Sequence, residues 1–521
     1  MTAGRHPSPK PADDGPWVRL RIPHRLRGTR LRVLAPYLWV TLLAGFLFFF
    51  RLGHRELFSS HEARAAQNAQ RMLDTGEWGL PVLFDGQADL QKPPGYYWLV
   101  AALGVINGGQ VNAWVARAPS AAAGLATVLI VFGFVRRTGR PVAAWVAALT
   151  LATALHVTAI SRTARIDIPL TCAVAAALFA FYRGCEPGTR RRLGWHLLSA
   201  VAAAGGVMLK GPVALALIGP AAVAWLVARP RIDGGRGWVL SPLAALLGTL
   251  TVLALALPWF VWANGATGGE FVRVFFWHHT IARFTGSAAT LASHPWWFYA
   301  PRFAADFLPW SPVFVLLVGW ALRSGQWRRD PLLRFGLVWV AVVFAVLSTA
   351  QFKRSDYLLP LYPGAAVALG CAAEAWLASR TDPRTVRRAT RGFGLTLAAV
   401  ALGWLVMTFV VEPAEQRKEE KRAFAAVIRA HAPPPQPVLM FRAESHLLAL
   451  HLGRPLQTRV EWHDLIAWVA EPGPRFVVMP PEYVYPAGQI VRGRKLEVVA
   501  TLEDFTAAKP PRPLVFLRTA E

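Results

Sequence analysis

The residues of this chain that could do chemistry sit at the margins of its apolar runs. "LFSSHEARAAQNAQRML" (57–73) brings Glu62 and Arg64, and "QKPPGYYWL" brings Lys92; "SRTARID" (161–167) brings Arg162, Arg165 and Asp167, and "GVMLKGP" brings Lys210. Further on come His278, His279 and Arg283, then His294, and then Lys353, Arg354, Asp356 and Tyr357 in "QFKRSDY". Ionisable residues at membrane depth are costly, so several that converge on one face are functional candidates. A few carboxylates among many cations suit an anionic, phosphate-bearing lipid. Each residue also has a plainer reading. A lysine or arginine at a span end commonly snorkels to headgroups, Asp167 would cap a helix beginning at Ile168, and adjacent histidines on a helix do not share a face for a metal.

The elements that position these residues follow from hydropathy. Apolar runs long enough to cross a bilayer, roughly 20 residues each, lie near 33–50, 116–135, 141–160, 168–183, 194–209, 211–228, 238–258, 300–322, 335–351, 357–378 and 393–411. The basic clusters "RRTGR", "RGCEPGTRRR", "RPRIDGGR", "RSGQWRRDPLLR" and "RTDPRTVRRATR" fall between them and mark the cytoplasmic side. The run Tyr96–Ile106 is short and reads as a juxtamembrane helix. Loops 51–115, 161–167, 258–299 and 351–357 then share the outer face, with Lys210 at the outer end of a tight hairpin. Ser59 followed by Glu62 is a capping box, and Gly76 is a stop signal, so a short amphipathic helix lies between them. "FVRVFFWHHTIARF" (271–284) suits a helix in the headgroup region. Trp259, Trp262, Trp277, Trp296, Trp297 and Trp310 fit an interfacial aromatic belt.

Composition agrees with this layout. Of 521 residues, 54% are hydrophobic and 17% charged, with a mean hydropathy of +0.34, which is too apolar for a soluble protein of this size. The net charge of +26 would suggest nucleic acid in a soluble protein, but here the basic residues cluster between apolar runs and read as topology signal. The chain is therefore expected to be a polytopic α-helical membrane protein with about 11–13 transmembrane helices and no nucleic-acid partner. Three cysteines without paired spacing imply neither a disulfide framework nor a zinc site. Residues 1–32 read as a basic cytoplasmic tail, 33–411 as the membrane domain, and 412–521 as a small soluble α/β domain outside the membrane. The last has strand candidates at 437–441, 475–479, 496–502 and 513–517 and helix candidates at 414–431, "SHLLALHL" and "HDLIAWVA".

The ordered series "HEARAAQNAQRMLDTGEW", "QKPPGYYWL", "RAPSAAAG", "SRTARIDIP", "LKGPVAL", "LPWFVW", "FFWHHTIARF", "HPWWFYAPRF", "FLPW" and "FKRSDYLLPLYP" resembles bacterial membrane glycosyltransferases of the aminoarabinose-transferase and protein-mannosyltransferase type. The resemblance spans about Leu52 to Pro363. It implies the GT-C fold, a polyprenyl-phosphate sugar donor, a location in the bacterial inner membrane, and transfer to a lipid, glycan or protein hydroxyl on its outer face. The family's acidic-Glu-x-Arg motif falls on His61, Glu62 and Arg64, and its Glu-Lys-Pro motif on Gln91, Lys92 and Pro93. Its loop aspartate falls on Asp167, its histidine and arginine on His279 and Arg283, and its Lys-Arg-x-x-Tyr motif on Lys353, Arg354 and Tyr357. His61 and Gln91 replace carboxylates, which bears directly on whether a divalent metal ion could be held.

The implied chemistry is displacement at the anomeric carbon. Arg64, Lys92 and Arg283 would neutralise the phosphate, with Gln91, Lys210, His279, Lys353, Arg354 and Tyr357 as further binding residues. Glu62 or Asp167 would accept the acceptor's proton, with His61 as the alternative base. A transporter or flippase of anionic lipids, or a non-catalytic binder of polyprenyl-linked glycolipids, is the competing reading. A transporter should show inverted repeats and mid-span polar residues, and the sequence shows neither.

Overall fold

The computed structural model describes residues 29–84, 86–229, 240–287, 293–414, 421–443, 446–491, 494–503 and 513–519. The expected tail 1–32 lies almost wholly outside them, as do most of "RPRIDGGR" and the start of the expected 414–431 helix.

The membrane portion is a bundle of helices: α1 (Thr29–Phe49), α2 (Ser60–Thr75), α3 (Gly95–Ile106), α4 (Ala113–Arg136), α5 (Pro141–Thr153), α6 (Leu155–Ser161), α7 (Asp167–Cys185), α8 (Arg192–Lys210), α9 (Val213–Ala228) and α10 (Pro242–Ala266). A π-helix, Val272–Ile281, continues into α11 (Ala282–Thr285). There follow α12 (Tyr299–Asp306), α13 (Trp310–Arg323), α14 (Gln326–Arg329), α15 (Pro331–Thr349), α16 (Tyr362–Ala378) and α17 (Pro383–Val406). Among the described residues, seven helices are long and apolar enough to cross a membrane, or nine if each of two bent pairs is one span. Leu34–Phe49 and Val213–Ala228 are apolar but shorter.

Two of the runs read as spans are bent pairs of helices. Run 141–160 breaks at Ala154 with a bend of 60°, and 300–322 breaks between α12 and α13 with a bend of 110°. The two breaks meet. The Leu155 amide donates to the Leu308 carbonyl at 2.9 Å, and the Trp310 indole donates to Thr153 Oγ1 at 2.9 Å. Each break thus supplies the polar partner that the other's freed backbone needs at membrane depth. Trp310 is accordingly a buried core residue and not part of an aromatic belt.

Local signals fix the helix ends. Ser59 Oγ accepts from the Glu62 amide, and Gly76, at φ 73°, closes α2. Asp330 caps α15 ahead of Pro331 by accepting from the Leu332 and Leu333 amides at 3.0 and 3.1 Å. Asp330 and Glu374 also hold Arg140, and Arg137 bonds Glu186, so the basic clusters after α4, α7 and α13 share one end of the bundle. Loops 51–115, 161–167 and 351–357 gather at the other end.

The C-terminal region carries a five-stranded sheet of order β2-β1-β3-β5-β4, with β1 Val438–Phe441, β2 Gln457–Arg459, β3 Phe476–Met479, β4 Leu496–Leu502 and β5 Leu514–Thr519. β1 pairs in parallel with β2 and β3, and β5 runs antiparallel to β3 and β4. Strand β2 and the helix Val484–Ile490 were not foreseen. Both are short, and β2 lacks an apolar face. This region sits on α2. Ala63 is fully buried in a cluster with Phe424, Leu448 and Phe516, Gln67 donates to the His446 carbonyl, and Arg422 pairs with Glu56.

Candidate active site

A cavity of about 460 Å³ opens at the loop end of the bundle. Its polar lining includes His61, Gln91, Lys92, Arg165, Asp167, Lys210, His279, Arg283, Arg354, Asp356 and Tyr357, and its apolar wall includes Leu170, Val213, Leu217, Ile281, Val346 and Leu347. Segments nearly 300 residues apart in sequence thus build one chamber lined by both charged and apolar side chains. Nine of the twelve residues singled out from the sequence line it.

Three do not. Glu62 lies behind the wall and is fully buried. Its carboxylate accepts from Arg117 Nε at 2.8 Å, from the Ala164 amide at 3.0 Å and from the Phe58 amide at 3.1 Å. Burial alone would raise its pKa, but Arg117 and these donors win and hold it below the usual carboxylate range. A carboxylate so occupied is a joint between α2, α4 and the loop before α7, not a base facing substrate. Arg64 donates through Nε and Nη2 to Asp89 and through Nη1 to Gln91 Oε1, the last at 2.6 Å, so it braces the wall behind Lys92. Lys353 is buried and donates to the His294 and Ala350 carbonyls, which ties the 351–357 loop to the segment before α12.

The residues that do line the cavity are held in place. Asp167 opens α7, and its Oδ1 accepts from Lys210 at the end of α8. Lys210 also lies 4.1 Å from the centre of the Tyr357 ring. Lys92 follows the turn that carries Asp89. Burial, with Arg64 and Lys210 nearby, outweighs Asp167 and Asp89 and brings its pKa down to about 7. Burial and the charges of Lys92, Arg165, Arg354 and Arg64 push His61 down to about 2, so its imidazole is neutral and a poor proton acceptor. His279 falls to about 4 through burial and Arg283. The π-helix turns His279 into the cavity and leaves His278 exposed.

Four further residues complete the site: Asp356, a sequence candidate that was given no role, and Asp89, His156 and Arg117, which were not named from the sequence. Asp89 is buried and accepts from Asn68 Nδ2 at 2.9 Å and from the Tyr97 hydroxyl at 3.3 Å. Asp356 accepts from Arg165 and Arg354 and lies 3.5 Å from His156 Nε2. His156 in turn lies 3.1 Å from the Tyr362 hydroxyl and 3.8 Å from Asp306. Arg117 and His156 carried a signal, because each interrupts an apolar run. Asp89 carried none, since its partners lie 21 and 25 residues away. Among the described residues no three His, Cys, Asp or Glu side chains come close enough to hold a metal ion. The two cavity carboxylates are each already engaged by cations, so this lining does not fit a divalent cation.

Comparison with known proteins places this geometry. Residues 91–262 match the family of dolichyl-phosphate-mannose-protein mannosyltransferases. The undecaprenyl phosphate-alpha-4-amino-4-deoxy-L-arabinose arabinosyl transferase of Pseudomonas paraeruginosa is 33% identical over 387 residues, 73% of this chain and 67% of that one. The corresponding transferase of Shewanella sediminis is 30% identical over 65% of this chain and 59% of its own. The chain thus spans about two thirds or less of these relatives' lengths. In three dimensions, ArnT from Cupriavidus metallidurans, solved bound to undecaprenyl phosphate, superposes with a TM-score of 0.74 over 93% of this chain and 98% of its own at 20% identity. The oligosaccharyltransferase AglB of Archaeoglobus fulgidus does so at 0.51 over 87% and 70% with 14% identity. The chain belongs to the multi-pass membrane glycosyltransferases of the GT-C fold that use polyprenyl-phosphate sugars.

Proposed function

We propose that this protein moves a sugar from a polyprenyl-phosphate donor to an acceptor hydroxyl, with Asp167 as the base. The observation that carries this reading is the chamber itself, which Asp167 lines together with Lys92, Lys210, Arg283 and Arg354 and with apolar side chains suited to an isoprenoid tail. The bond from the anomeric carbon to the phosphate oxygen breaks, and a new bond forms from that carbon to the acceptor oxygen. Asp167 takes the hydroxyl proton, and the polyprenyl phosphate leaves with the electron pair. Lys92, Arg283 and Arg354 stabilise the charge on the departing phosphate through preorganised cations that need no rearrangement during the reaction. Lys210 takes Oδ1 of Asp167 and orients the carboxylate.

In this reading the chamber opens at the outer face of the bacterial inner membrane. Its support is charge asymmetry, since the basic clusters lie at the opposite end of the bundle. The N-terminus is then cytoplasmic and the C-terminal sheet extracytoplasmic. The acceptor is a hydroxyl of a lipid, glycan or protein. A transporter or binder reading gains no specific support. The test is single-turnover transfer from a synthetic polyprenyl-phosphate sugar by the full chain in nanodiscs. Asp167→Asn should lower the rate on the order of 10²–10⁴-fold while donor binding persists, and unchanged turnover would reject the assignment.

A further inference from the structure

The relatives matched above are named for an amino-sugar donor, yet the charges lining this cavity argue for a different cargo. Resting on the transfer reaction just described, we infer that the sugar this protein handles lacks a basic amino group and is a neutral or acidic sugar.

An ammonium group in a partly dry site needs a carboxylate or an open aromatic face beside it. Among the described residues only two carboxylates line the chamber. Lys210 occupies Asp167, while Arg165 and Arg354 occupy Asp356. The two other acids near the wall are sealed off, Glu62 by Arg117 and Asp89 by Arg64. Of the rings in the lining, Tyr357 already faces the Lys210 ammonium and Phe352 the Arg283 guanidinium, Tyr96, Tyr97 and Phe275 are buried in the wall, and Phe284 lies next in sequence to Arg283.

Cations dominate the rest. Arg165, Lys210, Arg283 and Arg354 line the same space, together with Lys92, which is partly charged at neutral pH. A donor phosphodiester brings a single negative charge, so the site stays positive after the donor has docked, and a cationic sugar would be repelled. The remaining polar lining suits hydroxyls. His61 and His279 are held neutral by burial and nearby cations. The Gln91 Oε1 is fixed by Arg64, which leaves its amide N–H groups as the donors it can still offer. The amide N–H groups bond a hydroxyl or a carboxylate and offer an ammonium nothing, and each neutral imidazole offers an ammonium one acceptor nitrogen but no compensating charge.

The test compares two donors that differ at one substituent: polyprenyl-phosphate arabinose and polyprenyl-phosphate 4-amino-4-deoxyarabinose. Each competes against labelled polyprenyl phosphate on the full chain in nanodiscs at neutral pH. The amino donor should bind at least on the order of tenfold more weakly. Equal or tighter binding of the amino donor overturns this inference alone. Failure of polyprenyl phosphate itself to bind overturns the transfer reading, and this inference with it. The variant His61→Asp, with its fold checked by its affinity for polyprenyl phosphate, adds a carboxylate to the lining and should narrow the gap severalfold. A gap unchanged from wild type would mean that lining charge does not select the sugar, which also overturns the inference.

Discussion

Arg117 and Glu62, 55 residues apart, form a closed and fully buried ion pair in which Nε donates to Oε1 at 2.8 Å and Nη2 donates to Oε2 at 3.2 Å. The same guanidinium donates to the carbonyls of Leu52, Arg55 and Glu56, and so clamps the chain that leaves α1 onto α4.

Removing one partner of such a pair strands a buried charge. Arg117→Met should destabilise the protein by about 3–5 kcal/mol, read as a lower melting temperature and poor yield of folded protein. Combining it with Glu62→Gln should recover much of that loss. The folded fraction of Glu62→Gln should keep transfer activity within severalfold of wild type. A loss as large as that of Asp167→Asn would return Glu62 to the role of base.

Lys92, brought down to about 7, makes donor binding depend on pH. Below 7 it carries the positive charge that meets the donor phosphate, and above 7 it is largely neutral. Affinity for a phosphodiester donor, whose own charge is constant over this range, should therefore weaken as pH rises from 6 to 9, by at most about tenfold per unit for one linked proton. His61 and His279, at about 2 and about 4, stay neutral throughout and add no slope. Lys92→Arg, always charged, should flatten the profile. Parallel slopes in the two proteins would show that another group titrates.

Gly211 follows Lys210 at φ 67° and ψ −148°, a conformation almost reserved for glycine. A Cβ there would strike the ring of Phe275 in the π-helix that carries His279. Gly211→Ala should lower stability by about 1–3 kcal/mol from backbone strain and displace His279 from the chamber. Transfer should fall more than stability accounts for. Full activity at a temperature where the variant is folded would disconnect this turn from the site.

Sidedness can be read by labelling. Tyr485 is exposed on the C-terminal sheet region, while Cys185 and Cys371 are buried and Cys172 is half-buried. A Tyr485→Cys variant in intact inner-membrane spheroplasts should react with a membrane-impermeant maleimide. Reaction only after permeabilisation would invert the proposed orientation.

Much of this was legible in the sequence, and what was not has physical reasons. Hydropathy and basic clusters marked the helices because a lipid-facing helix is apolar all round, as the exposed Leu246, Leu250 and Leu257 of α10 show. The break at Ala154 was invisible, since Ala154 is as apolar as its neighbours, whereas the second had a signal in Pro309, because a proline interrupts a helix, although the size of each bend depends on contacts between distant segments. Motif order brought His61, Lys92, Asp167 and Arg283 to one chamber. It could not say that Glu62 turns away from it. Both readings place a carboxylate on α2, and only the position of Arg117, one helix across, decides which way it points. Asp89 escaped notice for the same reason, because its meaning lies in Arg64 and Asn68 on another element.

The junction where Leu155 donates to Leu308 has an evolutionary corollary. Because each interruption satisfies the other, neither helix can acquire a residue or lose one there without leaving its counterpart an orphaned peptide group inside the lipid layer. Across descendants of this chain, insertions and deletions should therefore be excluded from both sites together, and substitutions at Thr153 and Trp310 should travel as a pair.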